Sequence, residues 1–136
     1  MKVAAVMSSP VQMVDPETDL VTAAGLMKEF NIGCLLVGSS GHLAGVVTDR
    51  DIVLRAVTSG NHYADITVAE VMTRDPMFCV ADDDIVQAAR IMQECHVRRL
   101  PVLGADRTVV GIVSWSDLCT NPPGNIVYIG SGTRRS

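Results

Sequence analysis

Gly45-Val46-Val47-Thr48-Asp49-Arg50-Asp51 returns later in the chain as Gly111-Ile112-Val113-Ser114-Trp115-Ser116-Asp117. Both copies contain a glycine, two β-branched apolar residues, a hydroxyl residue and an aspartate three positions after it. β-branched apolar residues favour a strand, and a Ser or Thr followed three residues later by an acid is typical of a helix start. The stretch therefore predicts, at two places, a strand that ends where a helix begins.

The duplication extends outward from this stretch. Val6–Pro10 is echoed by Val71–Pro76, and Asp19–Met27 by Asp84–Met92. A repeat of this length indicates one supersecondary unit present twice, because a single copy cannot cover its own apolar face. Two like units packed together also create equivalent clefts between them, and we expect the functional site there.

Composition limits the possible partners. The 136 residues suffice for one domain, or for two half-domains that share a core. Hydrophobic residues make up 48% and aromatic residues only 4%, so the core must consist mainly of aliphatic side chains and Met. The formal net charge of −4 argues against nonspecific binding to nucleic acid or to an anionic membrane, which both need a basic surface.

We expect no targeting segment within this sequence. Met1–Pro10 is too short and too weakly apolar for a secretory signal, and no stretch approaches the roughly 18 apolar residues that span a membrane. The four cysteines include no close-spaced pair. We therefore expect a soluble, cytoplasmic protein with reduced thiols.

Each copy is predicted to be β-α-β-β-α. In the first, a short extended run at Val11–Val14 precedes a helix, and strands at Cys34–Val37 and Leu43–Val47 precede a second helix at about 49–57. The apolar face of the first helix repeats at helical spacing: Leu20, Ala23, Ala24, Met27 and Phe30.

The second copy has the same pattern, with strands at Leu100–Leu103 and Val109–Val113. The corresponding helical face is formed by Ile85, Ala88, Ala89, Met92 and Cys95. We place the first repeat at 1–58, a linker at 59–67, the second repeat at 68–120 and a tail at 121–136. In the tail, the stretch 121–124 should break structure, 126–129 is a candidate strand and 130–136 has the composition of a disordered end.

On these residues the chain resembles a tandem pair of CBS domains, the family named after cystathionine β-synthase. The resemblance runs from about Val6 to Thr120, and its most specific element is Gly45–Ile52, supported by Val97–Val102 and Gly111–Ser114. It implies an α/β (α+β) fold in which two β-α-β-β-α repeats pack sheet to sheet with pseudo-twofold symmetry.

The resemblance also implies a function. CBS pairs are typically small regulatory modules that sense and do not catalyse, and they often form disc-shaped dimers. Their clefts commonly hold AMP, ADP, ATP, S-adenosylmethionine or NAD(H), with no other cofactor required. We accordingly expect a stand-alone homodimeric nucleotide sensor that signals to a protein partner on a separate chain.

Thr48 with Asp51, and Ser114 with Asp117, allow two interpretations that do not exclude each other. In the first, each pair caps a helix. In the second, which the resemblance favours, each aspartate accepts the two hydroxyls of a ribose, while the Thr or Ser hydroxyl assists at phosphate or sugar.

Arg98 and Arg99 are the candidate phosphate ligands, since the guanidinium fork matches phosphate oxygens. They could instead lie on a solvated strand edge or pair with surface acids. His96 is expected to cap the helix before them. The first copy has Gly33-Cys34 at the matching positions, so we expect two unequal sites. Trp115 could stack on a base, pack outward or obstruct its cleft.

Three rival functions remain open. No nucleophile triad, Walker loop or HExxH motif supports an enzyme. Three His and four Cys could form a metal or thiol sensor, although Cys95 and His96 are adjacent and poorly placed to share one ion. A dimeric interaction module with empty or degenerate clefts is the main alternative to nucleotide sensing.

Overall fold

The computed structural model describes residues 1–9, 11 and 13–120, which divide between two compact units. The first-repeat unit is Gln12–Pro76, and the second-repeat unit joins Met1–Val11 to the chain from Met77 onward. Each contains a sheet and helices in the order β-α-β-β-α. This confirms the predicted mixed α/β (α+β) class.

The first-repeat unit is built on a sheet of order β1-β2-β3-β4 within the described residues. Its strands are β1 (Met13–Val14), β2 (Cys34–Ser39), β3 (His42–Thr48) and β4 (Thr73–Arg74). β1 runs parallel to β2, and the other pairs are antiparallel. Its helices are α1 (Leu20–Phe30), α2 (Asp49–Asp51) and α3 (Val68–Val71). After α2 the chain winds on through a π turn (Ile52–Ala56) and a 3-10 turn (Val57–Ser59), and a second 3-10 turn follows at Tyr63–Asp65.

The second-repeat unit has the sheet order β5-β6-β7 within the described residues. Its strands are β5 (Cys79–Val80), β6 (Arg99–Leu103) and β7 (Val109–Ser114), and its helices are α4 (Ile85–Cys95) and α5 (Trp115–Thr120). A 3-10 turn at Val3–Ala5 belongs to this unit. β5 is parallel to β6, and β6 is antiparallel to β7, so the strand pattern of the first repeat recurs.

The long helices begin and end where their flanking residues dictate. The Asp19 carboxylate accepts the backbone N–H of Thr22 at 2.8 Å, and the Asp84 carboxylate accepts that of Val86 at 2.9 Å. These bonds satisfy N–H groups that a helix start leaves without partners. α4 is capped by the next residue, His96, which adopts the left-handed conformation (φ 56°) and whose N–H donates to a carbonyl of the last turn. The predicted cap at His96 is confirmed.

The amino-terminal segment completes the second repeat rather than the first. Val3 is fully buried in the core of the second-repeat unit. Ser8 exchanges backbone hydrogen bonds of 2.8 and 3.1 Å with Ile112 on β7. In the first-repeat unit the same place beside β3 is taken by β4, which in sequence leads into the second repeat. Each sheet is therefore extended by the segment that precedes the other repeat.

Both units bury an aliphatic core. In the first-repeat unit it includes Leu20, Ala23, Met27, Leu35, Val37, Val47, Val68 and Val71. In the second-repeat unit it includes Val3, Ile85, Ala88, Met92, Leu100, Val102, Val113 and Leu118. Such side chains contribute about 1.5–3 kcal/mol each when fully buried.

Some local predictions were wrong. Phe30 and Cys95 were assigned to apolar helical faces, yet both are exposed because each is the last residue of its helix, where the chain turns away. Ala24 is exposed as well. The strand predicted at Val11–Val14 is limited to β1. The predictions for 121–136 lie outside the described residues.

Candidate functional site

The first hydroxyl–aspartate pair lies where β3 passes into α2. The Thr48 hydroxyl accepts the backbone N–H of Asp51 at 3.0 Å. In return, Asp51 Oδ2 accepts the backbone N–H of Thr48, also at 3.0 Å. This reciprocal arrangement is a capping box, which satisfies two N–H groups at the helix start. The helix-start interpretation is confirmed for this pair.

The second pair repeats this geometry where β7 passes into α5. Asp117 Oδ2 accepts the backbone N–H of Ser114 at 2.8 Å, and the Ser114 hydroxyl accepts that of Asp117 at 3.1 Å. The Ser114 hydroxyl also lies 3.2 Å from the hydroxyl of Ser116. The duplicated heptapeptide therefore builds the same local structure twice.

Capping leaves room for a second role of these side chains. A carboxylate has two oxygens and about four acceptor positions, and the capping bond uses one of them. Asp51 and Asp117 are half-buried, as are Thr48 and Ser114. A carboxylate fixed in orientation by a capping bond, and still reached by solvent, is suited to accept hydroxyl groups from a polar ligand.

The two arginines lie beside the second pair. Arg99 stands directly opposite Ser114 in the β6–β7 register, so both side chains are on the same face of the sheet. The Arg98 carbonyl accepts the backbone N–H of Trp115 at 2.7 Å, which joins the start of β6 to the start of α5. Burial raises the pKa of the Cys119 thiol on α5, and the nearby charge of Arg98 partly offsets that rise. The positive charge of Arg98 is thus close to α5.

The first repeat has the same backbone arrangement without the charge. Cys34 stands opposite Thr48 in the β2–β3 register. The Gly33 carbonyl accepts the backbone N–H of Asp49 at 3.0 Å, as the Arg98 carbonyl does in the second repeat. Gly33 and Cys34 therefore occupy the places of the two arginines, and this strand-to-helix junction carries no basic side chain at those two positions.

The predicted site residues divide between the units. Four of them gather at the junction of β6, β7 and α5 in the second-repeat unit: Arg98, Arg99, Ser114 and Asp117. The other two form the junction of β3 and α2 in the first-repeat unit: Thr48 and Asp51. All members of each group therefore belong to the same unit.

Trp115 does not pack outward, which was one of the three roles considered from the sequence. Its side chain is only 4% exposed and belongs to the core of the second-repeat unit, together with Val3 and Leu118. The corresponding residue of the first repeat, Asp49, is half-exposed. The tryptophan therefore anchors α5 to the core, and nothing in the repeat pattern signalled this because its counterpart is polar.

Arg55 is a further residue whose contacts were not predicted. It lies four positions after Asp51, in the π turn. Its Nη1 donates to the carbonyl oxygens of Val71 at 3.0 Å and of Met72 at 3.2 Å. The sequence carries no signal for this contact, since the partners are backbone atoms far along the chain.

The described ranges contain neither a membrane-spanning helix nor a metal-binding cluster. None of the helices there is long and apolar enough to cross a bilayer. Among residues 1–9, 11 and 13–120, no cluster of three or more His, Cys, Asp or Glu side chains is placed to hold a metal ion.

The sequence matches one protein family twice. The CBS domain profile covers residues 3–57 and again 68–123. Hypoxic response protein 1 of Mycobacterium tuberculosis is 35% identical over 120 residues, which are 87% of this chain and 82% of that protein. The crystal structure of Hypoxic Response Protein I, with two coordinated zinc ions, has a TM-score of 0.83 and 31% identity, and the match covers 90% of this chain and 100% of that one.

Two further solved structures contain adenosine-based ligands. CBSX2 in complex with AMP is 27% identical, with a TM-score of 0.76, and the match covers 88% of this chain and 94% of that one. The CBS domain pair of protein MJ0100, in complex with 5′-methylthioadenosine and S-adenosyl-L-methionine, is 26% identical, with a TM-score of 0.78 and coverage of 89% and 94%. Proteins similar to this chain thus include ones that bind adenosine compounds.

Proposed function

The chain belongs to the CBS-domain family, and from this premise we propose that it is a non-catalytic regulatory module that binds an adenosine-containing ligand at the strand-to-helix junctions of its repeats. The candidates are AMP, ADP, ATP, S-adenosylmethionine and NAD(H). The AMP complex of CBSX2 and the S-adenosyl-L-methionine complex of MJ0100 support this range of ligands.

The observation that carries the proposal is the strand-to-helix junction of the second repeat. There a capped carboxylate and a hydroxyl lie where β7 passes into α5, and two arginines, Arg98 and Arg99, lie just before and at the start of the neighbouring strand β6. A nucleotide presents a cis-diol and a phosphate, which need acceptors and positive donors respectively. The junction supplies both kinds of group.

We assign a role to each residue on this basis. Asp117 accepts the ribose hydroxyls, and the Ser114 hydroxyl assists at sugar or phosphate. Arg98 and Arg99 neutralise the phosphate charge. In the first repeat Asp51 and Thr48 take the corresponding roles at ribose.

The two sites are proposed to be unequal. The first repeat has Gly33 and Cys34 where the second has its arginines, so a ligand held by Asp51 finds no phosphate partner at those positions. A site of this kind favours an adenosine compound with an uncharged or weakly anionic end. Such a site should still bind a phosphate ester, but with lower affinity than the second site does.

Ligand binding is proposed to act through a shift in population. A ligand that contacts both repeats favours one relative orientation of them, by as much as its affinities for the two states differ. A protein partner then recognises that orientation. Cys34, Cys79, Cys95 and Cys119 are present as thiols, which is compatible with a reducing compartment, and we propose the cytoplasm.

We also propose that the protein is a homodimer. Val53, Leu54 and Val57 are 56%, 51% and 50% exposed on the helical segment that follows Asp51, and from this spacing we infer an apolar patch. A second copy would remove this patch from water. Light scattering after size-exclusion chromatography should give twice the chain mass, and Leu54→Glu should shift it toward the monomer. A monomeric parent protein would contradict the dimer.

An interaction module with empty clefts is the second candidate function. It is favoured by the completeness of the two capping boxes, which account for Thr48, Asp51, Ser114 and Asp117 without any ligand. The apolar patch at Val53–Val57 would then serve a partner protein. This candidate predicts no stabilisation by any adenosine compound.

Calorimetric titration distinguishes the two candidates. The purified protein, checked free of carried-over ligand, is titrated with AMP, ADP, ATP, S-adenosylmethionine and NADH. Saturable binding of one compound at one or two sites per chain is the expected result. If none of the five compounds binds, nucleotide sensing is refuted and the interaction module is favoured.

A further inference from the structure

Arg55 joins two parts of the first-repeat unit that are distant in sequence. Its Nη1 donates to the Val71 carbonyl at 3.0 Å and to the Met72 carbonyl at 3.2 Å. α3 ends at Val71, and the last carbonyls of a helix have no partner within the helix. A guanidinium group satisfies them with charge-assisted hydrogen bonds, which are stronger than neutral ones.

The Arg55 hydrogen bonds connect the helical segment after the first hydroxyl–aspartate pair to the residues that precede β4. Met72 leads into β4, which pairs with β3, and β3 ends at Thr48. From Thr48 the chain passes through Asp51 to Arg55, which returns to Met72. The direction of the helical segment that follows Asp51 is therefore tied to the strand that ends at Thr48.

The helical segment after Asp51 is wound as a π turn, which indicates that a contact with another part of the unit influences its hydrogen-bond pattern. Residues Ile52–Ala56 form a π turn, and the N–H of Val57 donates to the Ile52 carbonyl. π turns are rare within helices and are found frequently at functional sites. The hydrogen bonds of Arg55 to Val71 and Met72 are made from within this turn, so they favour the observed winding.

We propose that Arg55 is a positioning residue for the Thr48–Asp51 pair. By fixing the path of the helix just after Asp51, it holds the carboxylate in the orientation that a ribose diol requires. This inference rests on the proposed function, because it presupposes a ligand at that pair. The matching sequence position in the second repeat is Asn121, so this means of positioning belongs to the first repeat.

The chain provides a matched control in Arg74. Its Nη2 donates to the Ala69 carbonyl at 3.3 Å, so it also binds a carbonyl of α3. Arg74 lies on β4 and not on the helix that carries Asp51. A role limited to stabilising α3 would affect the Arg55 and Arg74 variants alike, whereas positioning of Asp51 depends on Arg55 alone.

The test uses AMP and the full chain carrying Asp117→Ala, which leaves the first-repeat pair as the aspartate site. In this background, Arg55→Met should weaken AMP binding about tenfold, which is the scale of one hydrogen bond to a charged group. Arg74→Met should change the affinity less than about twofold on the same scale. Arg55→Lys, which keeps the charge but not the fork, should recover part of the loss.

A second readout covers the case in which Arg55→Met is too unstable to titrate. Hydrogen exchange at the Asp51 amide reports the capping box directly, and Arg55→Lys should accelerate it relative to Arg74→Met at equal global stability. Equal exchange in the two variants would overturn the inference. So would unchanged AMP affinity in Arg55→Met, or equal losses in the Arg55 and Arg74 variants.

The outcomes also separate this inference from the proposed function. If the unsubstituted protein binds AMP but the Asp117→Ala protein does not, the proposed function stands for the second repeat and the positioning role is overturned. If the Asp117→Ala protein binds AMP and Arg55→Met binds it equally well, only the positioning role fails. If neither the unsubstituted nor the Asp117→Ala protein binds AMP, both proposals fail for AMP.

Discussion

Met72 covers Gly45 so closely that the glycine has no room for a side chain. A Cβ placed on Gly45 would lie 2.6 Å from the Met72 sulfur and 2.7 Å from the Thr73 carbonyl oxygen. In the second-repeat unit a Cβ on Gly111 would lie 2.5 Å from the sulfur of Met7. The glycine that opens each heptapeptide is therefore required by the close approach of a methionine-bearing segment.

Gly45→Ala is expected to destabilise the protein by about 1–3 kcal/mol, because overpacking forces neighbouring atoms to move. The Met72 side chain can yield, but the Thr73 carbonyl belongs to a paired strand and cannot move without loss of pairing. Urea unfolding measures the change. Gly25→Ala is the control, since nothing lies within 4 Å of its Cβ position, and it should stabilise α1 by about 0.5–1 kcal/mol. Equal effects of the two substitutions would contradict this account.

Val3→Ala tests whether the amino-terminal segment is part of the second-repeat core. Val3 is fully buried, and its loss should cost roughly 1.5–3 kcal/mol from lost burial and the cavity left behind. Val21, which is 56% exposed on α1, provides the control, and Val21→Ala should change stability by less than about 0.5 kcal/mol. Thermal unfolding of both variants decides the point. A Val3→Ala protein as stable as the parent would show that the segment is dispensable.

Local patterns were sufficient to predict the order of elements in each repeat. Leu20, Ala23 and Met27 recur at helical spacing and are buried, and the Thr48–Asp51 spacing encodes a helix start that forms as expected. These features depend on residues within one or two turns of each other. The information needed to predict them is therefore present in a short window of sequence.

Long-range contacts could not be predicted in the same way. The burial of Val3 depends on a sheet that begins more than a repeat later, and that of Trp115 on the same core. Arg55 binds carbonyl oxygens, which every residue possesses, so its partners leave no trace in the sequence. Which segment extends which sheet is likewise decided by tertiary packing, because Val6–Pro10 and Val71–Pro76 are alike in sequence.

Acid should remove part of the stability contributed by the helix caps. The N–H of Val86 and, less strongly, the amino-terminal ammonium group lower the pKa of Asp84 below 3.8. A lowered folded-state pKa means that the carboxylate stabilises the fold above the unfolded-state pKa, and this contribution is lost as the pH falls through the folded-state value. The stability difference between the parent and Asp84→Asn should therefore be present at neutral pH and shrink below about pH 4. Urea unfolding across this range measures it, and a difference independent of pH would refute the assignment.

Asp117→Ala and Asp84→Ala separate ligand binding from helix capping. Both substitutions remove a carboxylate that accepts a backbone N–H at a helix start, so both should lower the stability, Asp117→Ala by about 1 kcal/mol. Only Asp117→Ala should weaken nucleotide binding, by about 10- to 100-fold, since a hydrogen bond to a charged group is worth about 1.5–3 kcal/mol. Titration with AMP measures the affinity, and light scattering should find the proposed dimer intact in both variants. An unchanged affinity in Asp117→Ala would mean that Asp51 provides the main site or that neither aspartate binds ribose. Dissociation of the proposed dimer would make capping the dominant role of Asp117.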